Sequence, residues 1–223
     1  MDLRTAWQEG ADGWVRWARS PDLDDDFWRF HLPRFLHLLP PPGRLTVDIG
    51  SGEGRLGRIL TAAGHHIIGC DTAFPLVRAA VEAPPAGAVV VADAARLPIR
   101  DHQADLVIAF MCLHDFDDMA AAIAEAARVL AADGQLAVAL LHPVLTARLA
   151  GTYAAEGPYT LTVERAGQVM TYQGRHRPLT AYTTALAAAG FVIETIGEPV
   201  KPEGDHPTMP FLHLLARHQP SQP

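Results

Sequence analysis

Short apolar runs recur between positions 45 and 142, most of them closing on a single polar residue, and stretches with helical spacing separate them. Leu45–Ile49 runs into Gly50, Ile67–Cys70 closes on Asp71, Ala88–Ala92 on Asp93 and Gln135–Leu141 on His142, with Ala104–Phe110 as a further run. Between the first two, Leu56, Ile59, Leu60 and Ala63 recur at helical spacing, and Gly64 sits where a helix C′ glycine belongs. A second helix is predicted over Ala73–Glu82, ending at Pro84-Pro85. An alanine-rich third spans Ala120–Leu130, capped by Asp117 or Asp118. Strands that are apolar throughout belong to a parallel sheet covered on both faces, and strand–helix repeats build such a sheet. The predicted class is α/β, doubly wound and mostly parallel.

The flanks read differently. Trp14, Trp17 and Ala18 have helical spacing, and Phe27–Leu39 reads as an amphipathic helix ended by Pro40-Pro41-Pro42-Gly43. The tryptophan stripe is read as core. From Pro143 to Arg177 the pattern changes: Tyr159–Glu164 and Gln168–Tyr172 alternate with period two around Arg165-Ala166-Gly167, which predicts a β-hairpin. A helix over Thr180–Ala189 stops at Gly190. Phe191–Ile196 and Phe211–Ala216 follow as strands, and with no room for a crossover helix between them they must pair antiparallel. The residues from Gln219 onward read as a frayed tail.

Composition narrows the partners. A formal charge of −7 and no run of Lys and Arg give no electrostatic reason to bind nucleic acid. The two cysteines, Cys70 and Cys112, fall within or beside apolar runs, so buried free thiols are expected rather than a disulfide or zinc site. No basic stretch precedes an apolar segment at the N-terminus, and no apolar run approaches the ~20 residues of a membrane span. The expectation is a cytoplasmic protein, monomer or homodimer, with no membrane partner.

Chemistry concentrates at the ends of the strands. Asp48-Ile49-Gly50-Ser51-Gly52-Glu53-Gly54 is a strand running into a glycine loop and then a helix, which brings backbone amides close to a ligand. Gly52, Gly54 and Gly57 also fit a dinucleotide fingerprint, but that frame starts too far beyond Ile49. An acidic residue just before the loop suits a cationic ligand part better than a pyrophosphate. Asp71, beside Thr72, can accept both hydroxyls of a ribose, whichever adenosine ligand carries it. Asp93-Ala94 places another acceptor one strand further on, suited to an adenine amino group.

Several stretches together resemble a class I S-adenosylmethionine (SAM)-dependent methyltransferase of the small-molecule, methyltransferase type 11-like kind. They are VDIGSGEGRLGRIL, GCD, VADAARLPI, ADLVIAFMCLHDF and RVLAADGQLAVALLHP, within roughly 44–142, while AGFVIETIGEP and FLHLLARH resemble that family's closing hairpin. The resemblance implies a seven-stranded sheet with one antiparallel edge strand. It also implies SAM as methyl donor and S-adenosylhomocysteine as product. The methionine part would lie at Gly50–Gly54, the ribose on Asp71, the adenine near Asp93 and Ala94, and Phe110 against the cofactor. One domain is then expected: an N-terminal helical cap (1–43), a SAM-binding core (44–142), a substrate-lid insertion (143–178), and a C-terminal helix and β-hairpin (179–218).

For catalysis the candidates are His114 and His142, just past the ends of neighbouring strands, and His176 in the segment leading out of the lid. An imidazole there could take a proton from the acceptor. Arg175 and Arg177 could hold a carboxylate, but read better as surface residues; Tyr159 and Tyr172 could pack on an aromatic acceptor or simply across strands. No metal site is predicted, since Asp115, Asp117 and Asp118 follow one another and point apart. The expected function is methyl transfer to an oxygen, nitrogen or carbon of a small, partly apolar molecule. A NAD(P)-dependent oxidoreductase and a non-catalytic SAM-binding module are the alternatives.

Overall fold

In the computed structural model, which describes residues 2–83, 87–202 and 207–219, strands form where the apolar runs fall. They are β1 (Thr46–Ile49), β2 (Ile67–Asp71), β3 (Ala88–Val91), β4 (Ala104–Phe110), β5 (Leu130–Leu141), β6 (Gly157–Arg165), β7 (Gln168–His176), β8 (Phe191–Gly197) and β9 (Phe211–His218). The helices are α1 (Leu3–Ala18), α2 (Leu32–Leu36), α3 (Arg55–Ala62), α4 (Phe74–Glu82), α5 (Met119–Val129), α6 (Pro143–Ala150) and α7 (Leu179–Ala188). Seven strands share one sheet in the order β3-β2-β1-β4-β5-β9-β8, and β6 pairs with β7 apart from it.

The central strands are buried on both faces, which is why their sequences are apolar throughout. On one face Val47, Val107 and Val138 pack with Ile123 of α5 and Leu186 of α7. On the other, Ile67, Ile108 and Ala137 pack with Phe35 of α2 and Leu60 of α3. Gly64 and Gly190 end their helices with positive φ, as their positions in the sequence require.

β9 runs antiparallel to both β5 and β8. The reversed strand therefore stands one place in from the edge expected for it. The α7 crossover lays β8 at the rim, parallel to the others, and the return strand fills the gap beside β5, where it pairs on both sides. The expected helix over Phe27–Leu39 is divided. Asp26–His31 forms a π-helical turn, with the Leu32 N–H reaching back to the Phe27 carbonyl, before α2 begins with Pro33 in its first turn. Helix α6, absent from the sequence reading, starts on Pro143 and ends at Gly151 with φ +79°. The anticipated stop at Pro84-Pro85 and the tail from 220 onward lie outside the described residues.

Candidate functional site

A cavity of about 450 Å³ opens at the carboxyl ends of β1, β2 and β4, where the strand order reverses direction and open α/β sheets take ligands. Its floor is the loop after β1. Gly50 and Gly52 adopt φ of +68° and +57°, and a Cβ on Gly50 would stand 2.5 Å from the Cβ of Cys112. Only glycine fits that crossing of chains. Ser51 lines the cavity, whereas Gly54, with φ +80°, starts α3. Glu53 is also part of the lining, its fully buried carboxylate held by Arg19 at 2.6 Å and Arg58 at 2.6 Å.

Three carboxyl groups mark the sheet side. Asp48 is buried at the end of β1, and burial, followed by the neighbouring Asp71, pushes its pKa up to about 8. Asp71 accepts the Gly52 N–H at 2.8 Å on one oxygen and the Ala73 N–H at 2.8 Å on the other. Burial raises its pKa, and these backbone donors oppose the shift. Asp93 accepts the Ala95 N–H at 2.9 Å and is paired with Arg4 of α1. Thr72 and Ala94 line the same wall. Phe110 lines it too, edge-on to Phe27 and Phe35 at ring separations of 5.6 and 4.8 Å. A glycine cradle that a Cβ would fill, beside strand-end carboxyls, fits a ligand carrying a positive charge and vicinal hydroxyls.

The three candidate histidines part company. His114 lines the cavity, buried, with its Nδ1 lacking a hydrogen-bond partner and its Nε2 3.7 Å from the Asp115 carboxylate. Burial, then the nearby Arg177, brings its pKa down to about 3. His142 stands outside the cavity lining: its Nδ1 accepts the Val144 N–H at 3.1 Å to cap α6, and its Nε2 meets Glu198 at 2.8 Å. His176 also stands outside, fully buried between the Thr146 hydroxyl at 2.8 Å and the Tyr153 carbonyl at 3.1 Å. Each ties α6 in place, His142 at its start and His176 from β7. Nor is Arg177 a surface group. Buried, it donates to the carbonyls of Leu113, Phe116 and Asp117 and so clamps the segment after β4.

Much of the remaining cavity wall is aromatic; the sequence marks Tyr159 and Tyr172 as able to meet an acceptor but does not single out Phe27, His31 or Phe211 for the site. Trp14 of α1 meets Tyr172 of β7 at 6.0 Å, edge to face. Arg55 lies over the Phe27 ring at 3.5 Å and is paired with Asp24. His31, in the π-helical turn, stacks on Phe211 at 3.9 Å. Tyr159 closes the chamber from the hairpin. The tryptophan stripe read as core is in part a cavity wall. Among the described residues no group of three or more His, Cys, Asp or Glu side chains is placed to hold a metal. Among these residues no helix is long and apolar enough to cross a membrane.

Comparison with known proteins agrees with this geometry. Residues 47–138 match the family described as a methyltransferase domain. A malonyl-[acyl-carrier protein] O-methyltransferase from Methylococcus capsulatus is 32% identical over 129 residues, covering 56% of this chain and 46% of that protein. The protein of the same name from Geobacter sulfurreducens is 34% identical over 182 residues, 79% of this chain and 66% of that one. The chain thus spans about half the length of the first of these relatives. Among solved structures, an S-adenosylmethionine-dependent methyltransferase from Mesorhizobium loti superposes with a TM-score of 0.66 at 23% identity, over 83% of this chain and 96% of that one. Sheet order, glycine loop, strand-end carboxyls and matched domain agree, and the chain belongs to the class I SAM-dependent methyltransferases.

Proposed function

We propose that this protein transfers a methyl group from SAM to an oxygen, nitrogen or carbon of a small, partly apolar acceptor. The observation that carries this reading is a single cavity lined both by carboxyls at the strand ends and by aromatic rings. Asp71 and Thr72 would hold the ribose, Asp48 and the Gly50–Gly52 loop the methionine part, and Asp93 with Ala94 the adenine, Phe110 packing alongside. Bound SAM supplies a methyl already activated on a sulfonium. What remains for the chain is to align the acceptor and keep water out, and α1, the π-helical turn and the β6–β7 hairpin enclose the space where that happens.

In this reading residues 1–43 and 143–178 form the lid, 44–142 the donor core, and 179–218 complete the sheet. His114, the one of the three candidate histidines that lines the cavity, would be the one to meet an acceptor. The relatives' names differ in substrate, one being a malonyl-[acyl-carrier protein] and another a demethylmenaquinone, so the acceptor has to be read from this cavity. At about 450 Å³ the cavity sits in the lower part of the ~300–1,000 Å³ range of small-molecule sites. That favours a small acceptor over nucleic acid. Free, buried Cys70 and Cys112 are in keeping with a reducing, cytoplasmic setting.

The test is isothermal titration with SAM, S-adenosylhomocysteine and NAD(H), repeated with Asp71→Asn. Micromolar binding of the first two, weakened in the variant, supports the reading. Binding of NAD(H) alone sinks it.

A further inference from the structure

On the methyltransferase reading the aromatic half of the cavity takes the acceptor, and the charges around it restrict which acceptors can enter. The arginines that line the cavity among the described residues are each paired with a carboxylate of the same wall: Arg4 with Asp93, Arg55 with Asp24, and Arg165 with Asp26 at 3.5 Å. Arg177, the cation behind His114, spends its donors on three backbone carbonyls and faces Glu156 at 3.5 Å. The segment after β4 meanwhile adds Asp117 and Asp118 to the lining, beside Asp115, whose pKa burial raises. An anionic guest would lose its hydration here, face acidic neighbours, and find its cations already engaged. A neutral or positive guest meets no such obstacle.

His114 supplies the complementary polar contact. It is 5% exposed, its Nδ1 is buried without a partner, and its Nε2 turns toward Asp115 at 3.7 Å. Burial raises the Asp115 pKa, with a hydrogen bond from Trp7 opposing the shift, and the Tyr159 ring lies 6.4 Å from the imidazole. With Nε2 3.7 Å from the Asp115 carboxyl, Nδ1 is the ring nitrogen left without a protein partner. Burial keeps the ring uncharged, so it offers an anion no charge to pair with. A buried acceptor atom left unpaired is costly until a donor reaches it.

We infer that the methyl acceptor is an uncharged or cationic molecule, not a carboxylate, that donates an N–H or O–H hydrogen bond to Nδ1 of His114, with Asp115 positioning that imidazole. Tryptamine and indole-3-acetate share a ring and differ in the sign of their side-chain charge, which makes them matched probes. Titrated into the full chain saturated with S-adenosylhomocysteine, tryptamine should bind at least about tenfold tighter. Asp115→Asn should narrow that preference. His114→Leu should weaken tryptamine by a similar factor, and His114→Asn, whose amide reaches the Nδ1 position, should restore part of the loss. Circular dichroism and S-adenosylhomocysteine affinity check that each variant is folded. Equal affinities, tighter binding of the carboxylate, or binding of neither probe overturns the inference and leaves the donor assignment standing. If S-adenosylhomocysteine itself does not bind, the methyltransferase reading falls and this inference with it.

Discussion

The backbone N–H of Gly52 donates to Oδ2 of Asp71 at 2.8 Å, so the glycine loop after β1 and the carboxylate ending β2 are one mechanical unit. The other oxygen of Asp71 holds the Ala73 N–H and with it the entry to α4. Both oxygens keep a further lone pair for ligand hydroxyls.

Asp71→Ala should therefore weaken S-adenosylhomocysteine twice over, by removing the ribose acceptor and by releasing the loop. Hydrogen bonds to charged groups are each worth about 1.5–3 kcal/mol, so the loss should be roughly ten- to a hundredfold or more in Kd. Asp71→Asn, which keeps one carbonyl oxygen, should lie between. Calorimetry that finds all three proteins alike would remove Asp71 from the site.

At Gly50 two effects coincide: φ is +68°, and an added Cβ would meet Cys112 at 2.5 Å. Gly151 has φ +79° with open space around its Cβ position. Gly151→Ala should cost only the left-handed strain, about 1–2 kcal/mol. Gly50→Ala should cost clearly more in urea unfolding and should also impair S-adenosylhomocysteine binding. Equal losses in the two variants would show that the chain crossing at Gly50 relaxes easily.

The sheet was legible because the core strands are buried along most of their length and so are written as mainly apolar runs; β4 falls on Ala104–Phe110, where the sequence puts it. The donor side was legible for a related reason. Its residues sit at strand ends, one per strand, and register alone brings Asp48, Asp71 and Asp93 to one edge. The acceptor side comes instead from α1, the π-helical turn, the start of α3 and the hairpin. Nothing in local periodicity says that Trp14 will meet Tyr172 or that Arg55 will lie on Phe27. His142 shows the limit of the strand-end argument. Its position is right, but Pro143 starts a helix there and turns the imidazole into that helix's cap.

Tyr172 and Trp14 join the hairpin to α1 over the cavity, and Tyr172 belongs to the hairpin, whereas Asp48 and Asp71 stand at the strand ends. Tyr172→Ala should accordingly raise the KM for the acceptor several-fold and leave S-adenosylhomocysteine affinity nearly unchanged. Loss of donor binding on the same scale would mean that the hairpin supports the whole site and is not an acceptor lid.

Asp48 predicts a pH dependence whose sign can be worked out. Its pKa in the fold, about 8, lies above the 3.8 of a free carboxyl, with burial as the main cause and Asp71 second. The folded chain thus binds a proton that the unfolded chain has released. The contribution of this group to stability is fully present below pH 3.8 and is lost as pH rises through about 8. Buried His31 and His213, whose pKa values are lowered, act in the opposite direction as pH falls below 6.5. Comparison with Asp48→Asn, which keeps both histidines, isolates the carboxyl. The variant should gain thermal stability relative to the parent as pH is raised from about 5 to 9, while binding SAM more weakly. The parent should also release a proton when it binds the cationic donor at pH 7, seen as a calorimetric heat that varies with buffer ionisation enthalpy, and the variant should not. Melting temperatures that run parallel across the pH range would place the Asp48 carboxylate, already ionised, in contact with a counter-charge before any ligand arrives.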